Sequence, residues 1–402
     1  MKINGPAEPI FVPGGFRWSS ATAGIKASGR PDVAFAEAPL GASAAAMFTR
    51  NGVCAAPVVV GRQHLRSAKG RVRAVIVNAG NANCATGKHG LLAAKDVCRA
   101  VGKHLESAPQ FIFPSSTGII GVPLPAERLI NATPRLIAEA IATEDALRAF
   151  ASAIMTTDTR AKIASTSFAV RGREVRIAGV AKGSGMIHPN IATMLVYTFS
   201  DVAGCAEELD AHLKNAVGTT FNCISVDGDT STNDTVLLLA SGASGVTLDL
   251  ARKQFARALQ AICASLAEQI VTDGEGAKHV VELRIEQARS MEEARTIARS
   301  IANSPLVKTA WAGCDPNWGR MLSSIGASGV ALDPAKVSIF IGSHQVCRGG
   351  TLNPFDERAA HAHMQQPQYG IRILLGRGTA SLRFLSCDLT TDYVRINADY
   401  ST

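Results

Sequence analysis

The order of apolar and polar positions predicts strands alternating with helices along most of the chain. Residues 72–78 (VRAVIVN) form a short apolar run closed by the turn-rich AGNANCATG, which reads as a strand. Apolar positions recur at helical spacing over 91–106, and again from Pro134 to about Met155. Residues 162–182 alternate with a period of two, and RGRE in their middle predicts a hairpin turn. A loop, GSGMIHPN, separates that hairpin from a strand-like run, TMLVYTFSD, at 193–201.

The second half continues the alternation. A helix is expected at 207–217, strands at 223–226 and 235–240, and a long helix over about 250–271. Met291, Ala294, Ile297, Ala298 and Ile301 share one face of a further helix. From Val337 onward, short strands and one helix near 356–364 predict a compact α+β tail. The expected class is therefore α/β with an α+β end. No internal repeat or low-complexity linker divides it, and a boundary fits near 190–200 or near 280.

Composition narrows the function classes. Of 402 residues, 47% are apolar, 18% charged and 5% aromatic, which is enough apolar material for a large core and excludes a disordered chain. The net charge of +8 admits an acidic partner, but the basic residues are dispersed and aromatics are few. A basic binding protein thus rests on net charge alone, and a base-stacking nucleic-acid surface is not expected. Nine cysteines occur without any CxxC pair, which predicts free, mostly buried thiols in a reducing, cytoplasmic setting. The first residues lack the apolar core of a signal peptide. The longest uncharged run, 107–126, carries four prolines, so it cannot be one membrane helix.

Common catalytic signatures are missing from the sequence: no GxxxxGK[ST], no GxSxG and no HExxH. DGDTSTND (227–234) begins like a calcium loop, but Thr232 stands where that loop needs glycine and Leu238 where it needs glutamate. A polar turn whose carboxylates cap nearby amides is expected there, and no metal site. His361 and His363 diverge on the predicted helix and read as solvated surface residues.

Three segments combine small residues, hydroxyls and charges beyond the needs of packing. PSSTGIIG (114–121) predicts a tight turn with exposed hydroxyls and N–H groups, either an ordinary turn or material for an oxyanion hole. KGSGMIHPNIATML (182–195) places Ala192 and Thr193 at a loop-to-strand junction. An N-to-O acyl shift there, followed by hydrolysis, would free an N-terminal threonine whose α-amine titrates at about 7.7–8.0 and can act as base for its own hydroxyl. The third set comprises TTD at 156–158, DGEG at 273–276, GCDPNWG at 313–319 and the C-terminal residues from Asn397 to Thr402. Read from residues alone, this is an enzyme-like α/β protein with a candidate threonine nucleophile.

At these residues the chain resembles the glutamate N-acetyltransferase (ornithine acetyltransferase) family of arginine biosynthesis. The resemblance runs through GGFRWSSATAGIK, NAGNANCATG, SSTGIIG, MTTDT, AKGSGM and ATML, VDGDTSTNDT, DGEGA, NSPLVKTA, GCDPNWGR and YVRINADYST, and so covers nearly the whole chain. It implies an αββα architecture like that of N-terminal-nucleophile hydrolases, and self-cleavage between Ala192 and Thr193 into an α chain (1–192) and a β chain (193–402). It further implies an α2β2 heterotetramer and acetyl transfer from N2-acetylornithine to glutamate, with acetyl-CoA as a donor in some members and no other cofactor. By resemblance Thr193 is the nucleophile, and Thr117 and Gly118 stabilise the oxyanion. Thr156 (favoured over Thr157), Lys182, Glu275, Asn397 and Thr402 contact substrate. By charge, Lys182 suits the substrate's α-carboxylate and Glu275 the ornithine side-chain ammonium.

Two positions depart from the family pattern. His188 replaces a small residue four positions before the scissile bond. NANCATG places Cys84 where an alanine is usual, which favours a buried structural thiol over a catalytic one. The enzymatic alternative is an N-terminal-threonine amidohydrolase or aminopeptidase, with water as the acceptor.

Overall fold

The computed structural model describes residues 2–188 and 194–399. Its first stretch contains β1 (Arg17–Ala21), β2 (Val33–Glu37), β3 (Ser43–Phe48), α1 (Ala56–Ser67), β4 (Ala74–Asn81), α2 (Gly87–His104), β5 (Ile112–Ile119), α3 (Ala126–Ala138) and α4 (Glu144–Ala153). The middle contains β6 (Lys162–Val170), β7 (Arg173–Lys182), β8 (Leu195–Ser200), α5 (Ala206–Thr219), β9 (Ile224–Ser225), β10 (Thr235–Ala240) and α6 (Leu248–Thr272). The last stretch contains β11 (Val280–Ala288), α7 (Met291–Ala302), α8 (Pro305–Ala312), α9 (Trp318–Ala327), β12 (Ser338–Ile341), β13 (His344–Arg348), β14 (Thr351–Leu352), α10 (Glu357–Met364), β15 (Gln368–Leu374), β16 (Ala380–Cys387) and α11 (Thr391–Asp399).

Side-chain alternation stacks these elements in four layers. On β2, Val33 and Phe35 pack with Val97, Val101, Leu129 and Leu136 of α2 and α3. The intervening Ala34 and Ala36 face Val180, Tyr197, Phe199 and Leu237 of a second sheet. On β8 and β10 the opposite residues, Val196, Val236 and Leu238, meet Leu209 and Leu213 of α5 and Phe255 and Leu259 of α6. A four-stranded sheet (β1-β2-β4-β5) thus packs face to face on a five-stranded one (β3-β10-β8-β7-β6), with helices outside each. The architecture is αββα, in agreement with the expectation. Trp18 and Phe199 meet edge to face between the sheets at 5.3 Å, and each such ring contributes about 1.5–3 kcal/mol on burial.

A third, seven-stranded sheet (β14-β13-β12-β15-β11-β16-β9) carries the C-terminal region. Strand β11 shows how its faces are set: Val281, Leu283 and Ile285 pack on α7 to α9 around Ile297, Ile301 and Trp311. The alternate residues point the other way and form ion pairs, Glu282 with Arg383 and Glu286 with Arg372.

Most expected elements are present. The hairpin closes tightly, with Val170 opposite Arg173, and Arg171 (φ 49°) and Gly172 (φ 78°) make the left-handed two-residue turn that matches strand twist. The single helix expected from Pro134 to Met155 is two helices. Pro134 lies inside α3, and the chain leaves helix before α4, where Ile141 exchanges both backbone hydrogen bonds with Trp18. The Thr143 hydroxyl then caps α4 by accepting from Ala146 N at 3.2 Å. His361 is exposed as expected. His363 differs: it is half-buried, with its ring 6.2 Å from that of Tyr369. Of the nine free cysteines, seven are buried, Cys84 among them. Among the described residues no helix is long and apolar enough to cross a membrane.

Candidate active site

The segment PSSTGIIG is not a tight exposed turn. Its residues up to Ile119 extend β5, paired in parallel with β4, and Ser115, Ser116 and Thr117 are buried. Pairing with β4 holds one edge of the strand, while Ser116 Oγ donates to Asn78 Oδ1 at 2.6 Å. The strand becomes irregular at its end, where Gly118 has φ +129° and the pairing slips around Gly80 and Asn81. A Cβ on Gly118 would stand 2.3 Å from the Gly80 carbonyl carbon, so only glycine permits this close approach.

Lys182 ends β7 next to that irregularity and is 4% exposed. Its Nζ donates to Thr117 Oγ at 3.2 Å. Because an ammonium can only donate, the Thr117 oxygen accepts, and its one proton is left to point elsewhere. Burial lowers the Lys182 pKa, opposed by the charge of Asp158.

Beyond Lys182 the chain turns through Gly183, Ser184 and Gly185. Ser184 Oγ pairs with Thr157 Oγ at 2.8 Å, and the Ser184 carbonyl accepts from Glu275 N at 2.9 Å. Glu275 lies just past α6, and its Oε2 accepts from Asn397 Nδ2 of α11 at 2.9 Å. The C-terminal helix is thereby tied to the turn after β7.

These pieces line one small, partly open cavity. Thr117, Gly118, Thr156, Lys182, Glu275 and Asn397 all line it, from five separate points of the sequence. Both Thr156 and Thr157 reach the wall, and the Thr157 hydroxyl is engaged by Ser184. A cation and a carboxylate in one small space complement a zwitterionic amino acid. Ala192, Thr193 and Thr402 lie outside the described residues.

The sequence reading missed part of this wall. Ser231, Thr232 and Asn233 line the cavity as well, from DGDTSTND. Asn233 Nδ2 donates to Ala82 O (2.7 Å) and Ser116 O (2.8 Å), bracing the end of β5. The carboxylates of that segment cap amides, as expected. Asp234 Oδ1 accepts from Met194 N at 2.9 Å, and Asp227 accepts from the amides of Met186 and Ile187. Burial pushes the Asp227 pKa up to about 6, against those amides. Its dense polar spelling was a signal, since a plain turn needs fewer hydrogen-bonding side chains. His188 is half-buried, and its Nδ1 accepts from Asn303 Nδ2 at 3.0 Å. Burial, with Arg299 nearby, lowers its pKa.

A second depression, beside Trp318 and Phe355, is lined by Asp315, Glu357, Arg358 and His361. Behind it Cys314 Sγ is 3.8 Å from His279 Nε2, and His279 Nδ1 pairs with Asp388 at 2.9 Å. The order is that of a catalytic triad, but burial pushes the Cys314 thiol up, and its Sγ also points to the Met364 carbonyl at 3.6 Å. This contact reads as a clamp holding the α8–α9 turn on the third sheet. Among the described residues no group of His, Cys, Asp and Glu side chains gathers as a metal site.

Comparison with known proteins places this cavity in context. The model of the ArgJ family matches residues 17–402. The arginine biosynthesis bifunctional protein ArgJ of Methylococcus capsulatus is 45% identical over 394 residues, covering 96% of this chain and 95% of that protein. Its counterpart from Ruegeria pomeroyi is 44% identical over 396 residues, covering 98% and 96%. A crystal structure of the arginine biosynthesis bifunctional protein of Bacillus halodurans is similar at 39% identity and a TM-score of 0.48, covering 50% of this chain and 96% of that one.

Proposed function

The chain belongs to the ArgJ family of acetyltransferases of arginine biosynthesis, and from that premise we propose that it moves the acetyl group of N2-acetylornithine to glutamate through an ester on Thr193. Thr193 Oγ attacks the acetyl carbonyl while its own α-amine takes the hydroxyl proton. The Thr117 hydroxyl and the Gly118 N–H receive the oxyanion. Collapse breaks the amide bond, the α-amine returns its proton to the leaving nitrogen, and ornithine departs. The glutamate amine then attacks the acetyl-threonine ester, and the reverse proton path restores Thr193. Two half-reactions through one acyl-enzyme make the kinetics ping-pong.

Lys182 attracts the substrate α-carboxylate and Glu275 the side-chain ammonium of ornithine, with Thr156, Asn397 and Thr402 completing the contacts. One observation carries the reading: Lys182 donates to Thr117 in a cavity that also holds Gly118, Glu275 and Asn397. The chemistry needs no cofactor, because the acetyl group rides on the chain itself, and acetyl-CoA would acylate the same threonine. The nucleophile arises by self-cleavage between Ala192 and Thr193, giving fragments 1–192 and 193–402 that assemble as α2β2. Nine free cysteines fit a cytoplasmic setting.

Intact mass of the purified protein tests the cleavage, with those two fragments expected and an uncut chain fatal to the Thr193 mechanism. Ornithine release with and without glutamate tests the acceptor. Release that ignores glutamate would turn the reading to an amidohydrolase.

A further inference from the structure

Four charged side chains are buried together behind the cavity wall. Lys162 of β6 is fully buried, and its Nζ donates to Asp158 Oδ1 and Asp273 Oδ2, each at 2.6 Å. Asp273 caps α6 and also accepts from the amide and hydroxyl of Thr159. Lys182 is the fourth member, and its hydrogen bond goes to the neutral hydroxyl of Thr117. Two carboxylates share the buried ammonium of Lys162, and only the half-exposed Arg160, 4.0 Å from Asp273, adds a further cation to the pair, so a charged Lys182 offsets the second buried carboxylate.

Lys182 lines the cavity, and Asp158 lies behind it, holding two backbone amides at the wall. Its Oδ1 also accepts from Gly183 N at 2.6 Å, next to Lys182, and its Oδ2 accepts from Thr156 N at 3.0 Å. The neighbouring cations hold Asp158 well below the usual carboxylate range despite its burial. The other charges facing Lys182 are Lys162, Glu275, Asp234 and, from the loop after β1, Lys26.

We propose that Asp158 is a positioning residue for acetyl transfer, keeping Lys182 an ammonium that donates to Thr117, so that the Thr117 proton points into the cavity. The proposal rests on the acetyl-transfer reading. The donor count supplies the mechanism: a neutral lysine amine can accept from Thr117, which would turn the hydroxyl proton away from the oxyanion. Asp158 thus acts on the reacting centre through two other side chains.

The test compares the wild type with Asp158→Asn and Lys162→Met. Asparagine keeps the size and one acceptor but removes the negative charge, so the alkaline fall of kcat should move about 1–3 pH lower. Lys162→Met removes a like charge and should move that fall upward. A merely structural role would weaken both variants without opposite shifts. Lys182 is also titrated directly, by trace acetic anhydride labelling across pH with peptide mass spectrometry. Earlier onset of labelling in Asp158→Asn and later onset in Lys162→Met support the proposal. Equal onsets in all three proteins overturn it. The labelling does not depend on turnover, so a wild type that transfers no acetyl group would refute the functional reading and leave this result separately legible.

Discussion

The carboxylate of Glu275 lies against the backbone of Gly185, so closely that a Cβ at 185 would stand 2.3 Å from Oε2. Gly185→Ala must therefore push Glu275 aside and strain its bond to Asn397. On the proposed mechanism this raises KM for N2-acetylornithine by about 10-fold or more, the cost of one misplaced charged contact. Steady-state kinetics check it, and an unchanged KM would remove Glu275 from substrate binding.

Thr117→Val keeps the shape of the side chain and deletes the hydroxyl. Loss of one oxyanion donor should lower kcat by about 10²–10³. Thr117→Ser retains the hydroxyl and should lose much less. Parallel kcat measurements on the two variants decide whether the hydroxyl or the packing matters.

Asp227 makes stability depend on pH in a defined direction. Its folded pKa is raised to about 6, whereas an unfolded aspartate titrates near 3.9. Between those values the folded state binds more protons, so this group's contribution to stability grows as pH falls through 6. From pH 7 to pH 5 the wild type should gain about 1–2 kcal/mol relative to Asp227→Asn. Urea unfolding of both proteins at the two pH values measures the difference. A pH-independent gap would mean that Asp227 titrates normally.

Asn233 ties β5 to the residue after β4 through the carbonyls of Ser116 and Ala82, both on buried residues. Asn233→Ala leaves those carbonyls without their donor, at a cost of about 1–3 kcal/mol. A lower Tm should accompany a lower kcat, because the braced strand ends in Thr117 and Gly118.

The fold was legible where periodicity alone decides it. The 162–182 hairpin and the strand 235–240 stand where the alternation put them, and the α5, α6 and α7 helices match their apolar spacing to within a turn. Legibility failed where tertiary contacts override local pattern. Helical spacing runs straight through 139–143, and only the pairing of Ile141 with Trp18 breaks it. PSSTGIIG has the spelling of a turn, yet parallel pairing with β4 draws it into a strand. Six of the residues that the motifs single out line one cavity. Asp158 and Asp273 stand in the polar segments TTD and DGEG, but their joining through Lys162 left no spacing to read, because the partners of Asp273 lie 111 and 114 positions away.

The five-stranded sheet carries a consequence for the proposed cut at Thr193. Strands β8 and β10 follow that point and lie side by side, while β3 and β7, which flank them, precede it. Each flank is a full ladder of six paired residues, so one half of the chain clasps the other like the jaws of a clamp. Neither fragment can complete the sheet unaided. Once cut and denatured, the protein must find its other half again by diffusion. Refolding then changes reaction order: second order in protein for the cleaved form, first order for an uncut Thr193→Ala chain.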